Sequence, residues 1–249
     1  MRNVALEIAY DGTAYAGWQL QNNAVTVQGV VEEALGRTGT ASPRLRVAGR
    51  TDAGVHALGQ VASFFTESGM TPREYQLALN SLMPFDVRVL GARDAPPSFH
   101  PRYSARKRWY RYLVYNGDTL MPFFRNYALW LARGVNLSLL GEYAKRIVGS
   151  HDFTSFASLE AGDDPVREVY SCDVTRKNDF IIFDITANGF LRKMVRTLVG
   201  TFFELEKRET MPERITGILR ARDRDSAGST VYPGGLYLMK VFYESENWG

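Results

Sequence analysis

The chain has 249 residues, of which 45% are hydrophobic and 23% are charged, a composition that excludes general disorder and predicts a globular protein with a sizeable core. No apolar run approaches the roughly 18–20 residues that cross a bilayer, and the N-terminal residues alternate instead of forming the apolar core of a signal peptide, so we expect a cytoplasmic protein with no membrane partner. The net charge of +3, from 30 basic and 27 acidic residues, is too small to indicate an indiscriminate polyanion binder.

The cysteine and histidine content argues against a structural metal. The single cysteine, Cys172, has no partner for an internal disulfide, and the three histidines are far apart in the sequence, at His56, His100 and His151. This spacing does not match any zinc-ligand pattern. We therefore expect no metal and a buried, unreactive thiol at Cys172.

Four strands and two helices are predicted before residue 97. Alternating patterns predict strands at residues 4–10, 45–50, 57–65 and 87–92. The first helix spans residues 27–35 behind the N-cap residue Thr26. The second begins at Pro72, because Thr71 and Glu74 form a capping-box pattern. It ends before Pro84.

The dipeptide Pro96-Pro97 is the clearest linker signal in the sequence. It predicts an N-terminal half of residues 1–97 and a C-terminal half of residues 98–249.

The C-terminal half repeats the order of the first. Strands are predicted at residues 109–115, 169–175, 180–186 and 236–243, and helices at residues 137–148 and 190–206. Thr210 and Glu213 indicate a further capping box, before a shorter helix that ends at Leu219.

This double β-α-β-β-α-β order predicts an α/β protein of the α+β type. We expect two ferredoxin-like halves, because paired hairpin strands imply antiparallel neighbours. Joined side by side, the halves would form a mainly antiparallel eight-stranded sheet with helices packed on it.

The loop between the second and third predicted strands carries the strongest signal for chemistry. Asp52 lies at its centre, with Gly49 and Gly54 on either side and Arg50 two positions before the carboxylate. An aspartate in a loop usually caps local backbone amides. A carboxylate that lies between two glycines and follows an arginine in the sequence is also a candidate reactive group.

These residues resemble the catalytic-aspartate motif of the TruA family of tRNA pseudouridine synthases. Further family blocks occur in the same order along nearly the whole chain. The matching stretches are YDGT (10–13) with GWQ (17–19), GRTDAGVHA (49–57), FHPRYSA (99–105), YRY (110–112), DFTSF (152–156), MVR (194–196) and GLYL (235–238). Pro101 and Tyr103 depart from the alanine and phenylalanine that are common in the family.

The resemblance implies the pseudouridine synthase fold and the isomerisation of uridine to pseudouridine in the tRNA anticodon stem-loop, at positions 38, 39 and 40. It also implies a homodimer that uses no cofactor and no metal. Asp52 would be the nucleophile. Three routes suit the residues: attack at C1′ of the ribose, attack at C6 of the base, or elimination to a glycal.

Two further residues take catalytic roles from the resemblance. Arg196 would keep Asp52 ionised, since a nearby cation favours a charged carboxylate, and the pattern of the predicted helix places Arg196 beside the apolar stripe and not within it. Tyr110 would stack on the uracil and is a candidate base. By sequence pattern alone, a solvated arginine and a core tyrosine are the ordinary interpretations.

RNA binding requires neutralisation of phosphates. A basic run interleaved with aromatic residues follows the linker, and two more basic residues precede Arg196. The candidate substrate contacts are Arg50, Arg102, Arg106, Lys107, Arg108, Arg192 and Lys193.

Two other functions fit parts of the pattern. A catalytically silent RNA-binding module or tRNA chaperone would use the same scaffold, although all three proposed catalytic positions are filled. A metal-dependent hydrolase would use Asp52 and His56 but lacks further carboxylate ligands nearby.

Overall fold

The computed structural model describes residues 1–41 and 43–244, which form ten strands and five α-helices. The strands are β1 (Arg2–Tyr10), β2 (Arg46–Val47), β3 (His56–Thr66), β4 (Val87–Ala95), β5 (Lys107–Tyr115), β6 (Leu129–Trp130), β7 (Gly149–Asp152), β8 (Val166–Lys177), β9 (Phe180–Ala187) and β10 (Leu236–Phe242). The helices are α1 (Val27–Arg37), α2 (Pro72–Leu82), α3 (Leu137–Lys145), α4 (Met194–Lys207) and α5 (Glu213–Ala221).

The chain divides into two compact units. Unit 1 comprises Met1–Lys107 together with the described residues from Tyr237 onward, and unit 2 comprises Arg108–Leu236. This division differs from the one inferred at residue 97. The mixed α+β class is confirmed, with ten strands instead of eight because the short strands β6 and β7 add to those predicted.

Unit 1 is built on the antiparallel strands β4, β1 and β3, in that order. The side chain of Thr26 caps α1 by accepting a hydrogen bond from the Gly29 amide. The capping box of Thr71 and Glu74 at the start of α2 is confirmed. Phe64 of β3 packs edge-on against Tyr75 of α2, with 5.1 Å between ring centres, so the core of this unit lies between β3 and α2.

The strand that ends the chain joins unit 1 and does not close the second half as predicted. β10 pairs in parallel with the start of β3, where Tyr237 lies opposite His56. The two rings stack with centres 4.7 Å apart. Gly59 permits this approach, because a Cβ atom there would lie 2.6 Å from the carbonyl oxygen of Met239.

The prolines at 96 and 97 do not separate the units. Asn3 donates hydrogen bonds from its side-chain amide to the carbonyl oxygens of Pro96 and Phe99, each 3.1 Å long. These buried bonds tie the proline segment to β1, and unit 1 continues to Lys107.

Unit 2 is built on the antiparallel strands β5, β9, β8 and β7, in that order. Alternate residues of β5 and β9 are buried, including Tyr112 and Phe183. Phe202 of α4 packs on Phe183 and on Tyr143 of α3. The core of this unit therefore lies between the sheet and helices α3 and α4.

Three predicted features near element ends differ from the structure in ways that have a clear physical reason. The strand predicted at 45–50 contains only Arg46–Val47, because the chain leaves the sheet as the Asp52 loop begins. The helix predicted from residue 190 begins at Met194, because Lys193 takes a left-handed conformation with a φ of 64°. The capping box at Thr210 is wrong: α5 starts at Glu213, whose carboxylate binds Arg146 instead.

No helix within the described residues is both long and apolar enough to cross a membrane.

Candidate active site

The Asp52 loop, residues 48–55, connects β2 to β3 in unit 1. At its start the Ala48 amide donates to the carbonyl oxygen of Val61, at 2.9 Å. At its end the Val55 amide donates to the carbonyl oxygen of Asp52, at 3.2 Å, and Gly54 has a φ of 76°. This tight turn requires a left-handed residue, which glycine supplies at little cost. The half-buried Asp52 side chain is therefore carried on a closed turn.

The segment after β1 packs against the Asp52 loop. The Trp18 amide donates to the carbonyl oxygen of Thr51 at 3.1 Å, and the Gly54 amide donates to that of Tyr15 at 3.2 Å. Gly12 and Gly17 have no room for a side chain, because a Cβ atom on either would collide with the loop backbone. Two of the family-like stretches, at 10–13 and 17–19, therefore pack against the loop that carries Asp52.

A buried hydrogen-bond network joins the Asp52 loop to strands β1 and β3. The hydroxyl groups of Tyr10 and Thr51 lie 2.8 Å apart, and the Gln60 amide donates to the carbonyl oxygen of Gly49 at 2.7 Å. Burial raises the pKa of Tyr10 to about 12. The Tyr10 hydroxyl therefore keeps its proton at neutral pH and can donate it to Thr51.

His56 is buried and immediately follows the loop. Its Nδ1 accepts a hydrogen bond from the Gly12 amide at 3.0 Å and lies 3.1 Å from a carboxylate oxygen of Asp11. The bond from the Gly12 amide ties the turn after β1 to His56. Its position is that of a structural residue.

Arg50 extends from the same loop into solvent. Its side chain is exposed and has no hydrogen-bond or ion-pair partner in residues 1–41 and 43–244. A guanidinium group so placed suits a substrate contact better than a structural one.

Tyr110 lies on β5 in unit 2, opposite Ile185 of β9. Its side chain is only 7% exposed, and its ring packs edge-on against Phe190 with centres 4.9 Å apart. Tyr112 lies on the same face and donates to the carbonyl oxygen of Tyr232 at 2.6 Å. Burial raises the pKa of Tyr112, and the positive charge of Arg196 acts in the opposite direction.

Arg196 lies in the first turn of α4 and is half-buried, while its neighbours Val195 and Val199 are buried. Its Nε donates to the carbonyl oxygen of Val231 at 2.9 Å, and its own carbonyl oxygen accepts from the Val231 amide at 3.4 Å. This pair of bonds fixes the direction of the guanidinium group.

The segment that holds Arg196, residues 227–231, is called the strap here. Three further bonds join it to α4: Thr197 to Thr230 at 3.0 Å, the Gly228 amide to Thr201 at 2.9 Å, and the Ser229 amide to Glu204 at 2.7 Å. Gly200 is required at the crossing, because a Cβ atom there would overlap the carbonyl oxygen of Ser229.

The proposed RNA contacts have different surroundings. Arg106 pairs with Glu244, Arg108 donates to the carbonyl oxygen of Asn188 at 2.6 Å, and Arg192 forms an exposed pair with Glu160 at 3.4 Å. Arg102 and Lys107 are exposed, and Lys193 is half-buried.

Arg111 belongs to the same basic run but is engaged within the sheet. It forms two 2.9 Å hydrogen bonds with the carboxylate of Asp184, which also accepts a bond from Trp109.

Sequence reasoning missed the residues that support the site. Gln60 and the strap carry no local signal of their role. Gly12, Gly17 and Tyr10 lie in the family-like stretches, but only the fold reveals what they contact. Asp52 and Arg50 belong to unit 1, whereas Tyr110 and Arg196 belong to unit 2.

Cys172 is buried, as predicted, and burial raises the pKa of its thiol. Among the described residues, no group of three or more histidine, cysteine, aspartate or glutamate side chains could hold a metal ion.

Comparisons with known proteins agree over nearly the full chain. A family model described as tRNA pseudouridine synthase matches residues 7–104 and 143–244. The chain is 41% identical over 244 residues to a tRNA pseudouridine synthase A of Thermoanaerobacter sp. (strain X514), covering 98% of this chain and 100% of that protein. It is 42% identical over 245 residues to the protein of that name from Geotalea daltonii, covering 98% and 100%. For the one from Moorella thermoacetica the identity is 43% over 244 residues, covering 96% and 98%.

Proposed function

Because this chain belongs to the family of tRNA pseudouridine synthases, we propose that it isomerises uridine at positions 38, 39 and 40 of the tRNA anticodon stem-loop, with Asp52 as nucleophile. The chain is an isomerase that pseudouridylates tRNA. The fixed Asp52 loop, in a family-matched stretch of the chain, is the observation that carries the finer proposal.

The reaction needs few functional groups. The N1–C1′ bond of uridine breaks, the uracil turns, and C5 bonds to C1′. The proton on C5 leaves, and N1 gains a proton, so product and substrate are isomers and no redox partner is consumed. A nucleophile, a platform for the uracil and a proton acceptor are sufficient.

Asp52 and Arg196 are proposed to work as a pair. The backbone bonds around Thr51 and Gly54 support this role for Asp52, because a reacting group must be held in place before the substrate arrives. The bond from Arg196 Nε to Val231 supports the role of Arg196, because it orients the guanidinium group. A cation beside Asp52 would keep the carboxylate ionised and nucleophilic.

Tyr110 is proposed to stack on the uracil and to take the C5 proton. Its contact with Phe190 supports the first role, since an edge-on aromatic contact favours one orientation of the Tyr110 ring. For the second role, the hydroxyl group must lie within hydrogen-bond reach of C5 in the bound state.

The remaining proposed contacts bind the RNA backbone. Arg50 would hold the target nucleotide out of the stem. Arg102, Arg106, Lys107, Arg108, Arg192 and Lys193 would neutralise phosphates.

A cytoplasmic homodimer is part of the proposal through the family resemblance. Light scattering coupled to gel filtration tests the dimer. We expect twice the chain mass of 28.1 kDa, and a particle of 28.1 kDa at micromolar concentration would reject the dimer.

The central experiment measures tritium release from tRNA labelled with [5-³H]uridine, followed by mapping of the modified positions. We expect release with the wild-type protein at positions 38–40. Asp52→Asn should bind tRNA normally and release no tritium, because an amide of similar shape is a poor nucleophile. Turnover by Asp52→Asn, after deamidation has been excluded, would remove Asp52 from its role, and release at other positions would correct the target.

A further inference from the structure

Three side chains of unit 1, those of His100, Arg102 and Tyr103, contact one another, and the charge of a fourth, Arg46, acts on His100. The cluster consists of Arg46 on β2 and His100, Arg102 and Tyr103 in the segment after β4. β2 leads directly into the Asp52 loop. Of these residues, only Arg102 has a role in the proposed function.

Arg46 lies on the face of the unit 1 sheet opposite α2. Phe64 contacts α2 through Tyr75, and its neighbour Phe65 therefore points to the opposite face, as successive strand residues do. The guanidinium group of Arg46 lies over the Phe65 ring, 4.8 Å from its centre.

The segment that carries the other three residues is firmly held. Asn3 donates to the carbonyl oxygen of Phe99 at 3.1 Å, and the Tyr243 hydroxyl donates to that of Pro101 at 2.9 Å. The Ser104 amide donates to the carbonyl oxygen of His100 at 2.9 Å, which closes a turn. A ligand that binds here meets a preformed surface and does not have to order a loop.

Tyr103 is the most unusual member, because an aromatic side chain is 77% exposed on this rigid turn. One side of its ring is braced by His100, with ring centres 4.4 Å apart. The Arg102 guanidinium lies over the ring, 5.8 Å from its centre. These two contacts brace the ring, while most of its area remains in water.

His100 is a neutral donor in this setting. Burial lowers its pKa, and the positive charge of Arg46 lowers it further. Its Nδ1 accepts the Arg102 amide at 3.2 Å, so the proton of the neutral ring is on Nε2.

We propose that Arg46, His100, Arg102 and Tyr103 form a subsite for one unpaired nucleotide of the tRNA. Tyr103 stacks on the base, the two guanidinium groups neutralise the phosphates beside it, and the Nε2 proton of His100 is donated to a nucleotide oxygen. An aromatic platform flanked by cations is the arrangement that binds single-stranded nucleic acid, and an unpaired nucleotide is required because a base in a helix has both faces covered. The inference rests on the proposed function only in taking tRNA as the ligand.

The test separates stacking from charge. Dissociation constants for an unmodified tRNA transcript are measured at fixed salt for Tyr103→Leu and Tyr103→Phe. We expect Tyr103→Leu to bind about 5- to 150-fold more weakly, the loss of one base–aromatic stack, and Tyr103→Phe to bind as the wild type does. Phe123→Leu is the matched control, because Phe123 is also 77% exposed, and its affinity should not change.

The charge is tested by salt dependence. Arg46→Gln should lower the slope of log affinity against log salt by about 0.7–0.9, the value for one phosphate contact. Arg73→Gln, at an exposed position on α2, should leave the slope unchanged.

Two results would overturn the subsite: normal affinity in Tyr103→Leu, or equal weakening in Tyr103→Phe and Tyr103→Leu. Absence of tritium release by the wild type would reject the proposed activity instead, and it leaves the affinity comparison intact.

Discussion

A side chain at Gly17 would collide with the backbone of Thr51: a Cβ atom at Gly17 would lie 2.6 Å from the Thr51 carbonyl oxygen. Gly17 also has a φ of 92°, a conformation that favours glycine. The segment after β1 and the Asp52 loop can approach only because this residue is glycine. The position of the proposed nucleophile is thus set partly by a residue 35 positions earlier in the chain.

Gly17→Ala should therefore damage both stability and turnover. The left-handed backbone and the collision together should lower the free energy of unfolding by about 1–3 kcal/mol, measured by urea denaturation. Tritium release should fall as the Asp52 loop moves. Gly36→Ala is the control, since nothing lies within 4 Å of a Cβ atom there and alanine favours a helix by about 0.5–1 kcal/mol. Equal stability of Gly17→Ala and the wild type would contradict this account.

Gly200→Ala should displace Arg196, the proposed partner of Asp52. A methyl group there pushes Ser229 away from α4, and the strap then no longer holds Arg196 through Val231. A displacement of about 1 Å can cost about 10²-fold in rate, so we expect the single-turnover rate to fall by this order while tRNA affinity is kept.

Two further variants test the strap without ambiguity from misfolding. Thr230→Val removes the hydroxyl that bonds to Thr197 and to Arg224, without adding bulk. It should lower the rate in the same direction but less. Gly217→Ala on α5, where a Cβ atom has open space, should leave the rate unchanged. A normal rate in both Gly200→Ala and Thr230→Val would show that the strap does not position Arg196.

The sequence was sufficient to predict features that depend on residues close together in the chain. The capping box of Thr71 and Glu74 and the burial of alternate residues in β5 follow from local geometry. The parallel pairing of β10 with β3 could not be predicted, because alternation identifies a strand but not its partner.

The residues that support the site could not be predicted from the sequence for the same reason. Gln60 reads as one polar residue in a strand, and its bond to Gly49 exists only once the loop has folded back. The backbone of Lys193 takes a left-handed conformation that side chains other than glycine rarely adopt. A helical sequence pattern that runs through Lys193 therefore misplaces the start of α4.

Asp152 gives a prediction about pH. Burial alone would raise the pKa of its carboxyl, but two bonds from Thr154 and the charge of Arg222 lower it below its usual value. The carboxyl therefore binds a proton more weakly in the folded state than in the unfolded chain. Its contribution to stability is complete above the unfolded value of about 4 and is lost as the pH falls through the lowered folded value.

Asp152→Asn should lower the free energy of unfolding by about 1 kcal/mol at pH 7, because the amide oxygen still accepts the Thr154 bonds but has no charge. The difference from the wild type should shrink as denaturation is repeated from pH 5 downward. Asp118→Asn, at an exposed position, should show no such trend. A difference that stays constant with pH would assign the effect to packing.

The role of Tyr110 can be divided into two separable demands, a ring that stacks and a hydroxyl that moves a proton. Tyr110→Phe keeps the ring and its edge-on contact with Phe190 while deleting the oxygen, whereas Tyr110→Leu deletes the stacking face as well. If the hydroxyl takes the C5 proton, Tyr110→Phe should bind tRNA normally and lose about 10²–10⁴-fold in turnover.

The alternative for Tyr110 gives the opposite pattern. If stacking is its whole contribution, Tyr110→Phe should turn over at a near-normal rate and Tyr110→Leu should lose about 1–3 kcal/mol of binding. We expect the first pattern, because C5 must lose its proton and His56, the histidine nearest to Asp52 in the sequence, holds a turn through Gly12. Tritium release and tRNA affinity measured on the same preparations decide between them. A normal rate in Tyr110→Phe would leave Tyr110 as a stacking platform and transfer the role of base to another group.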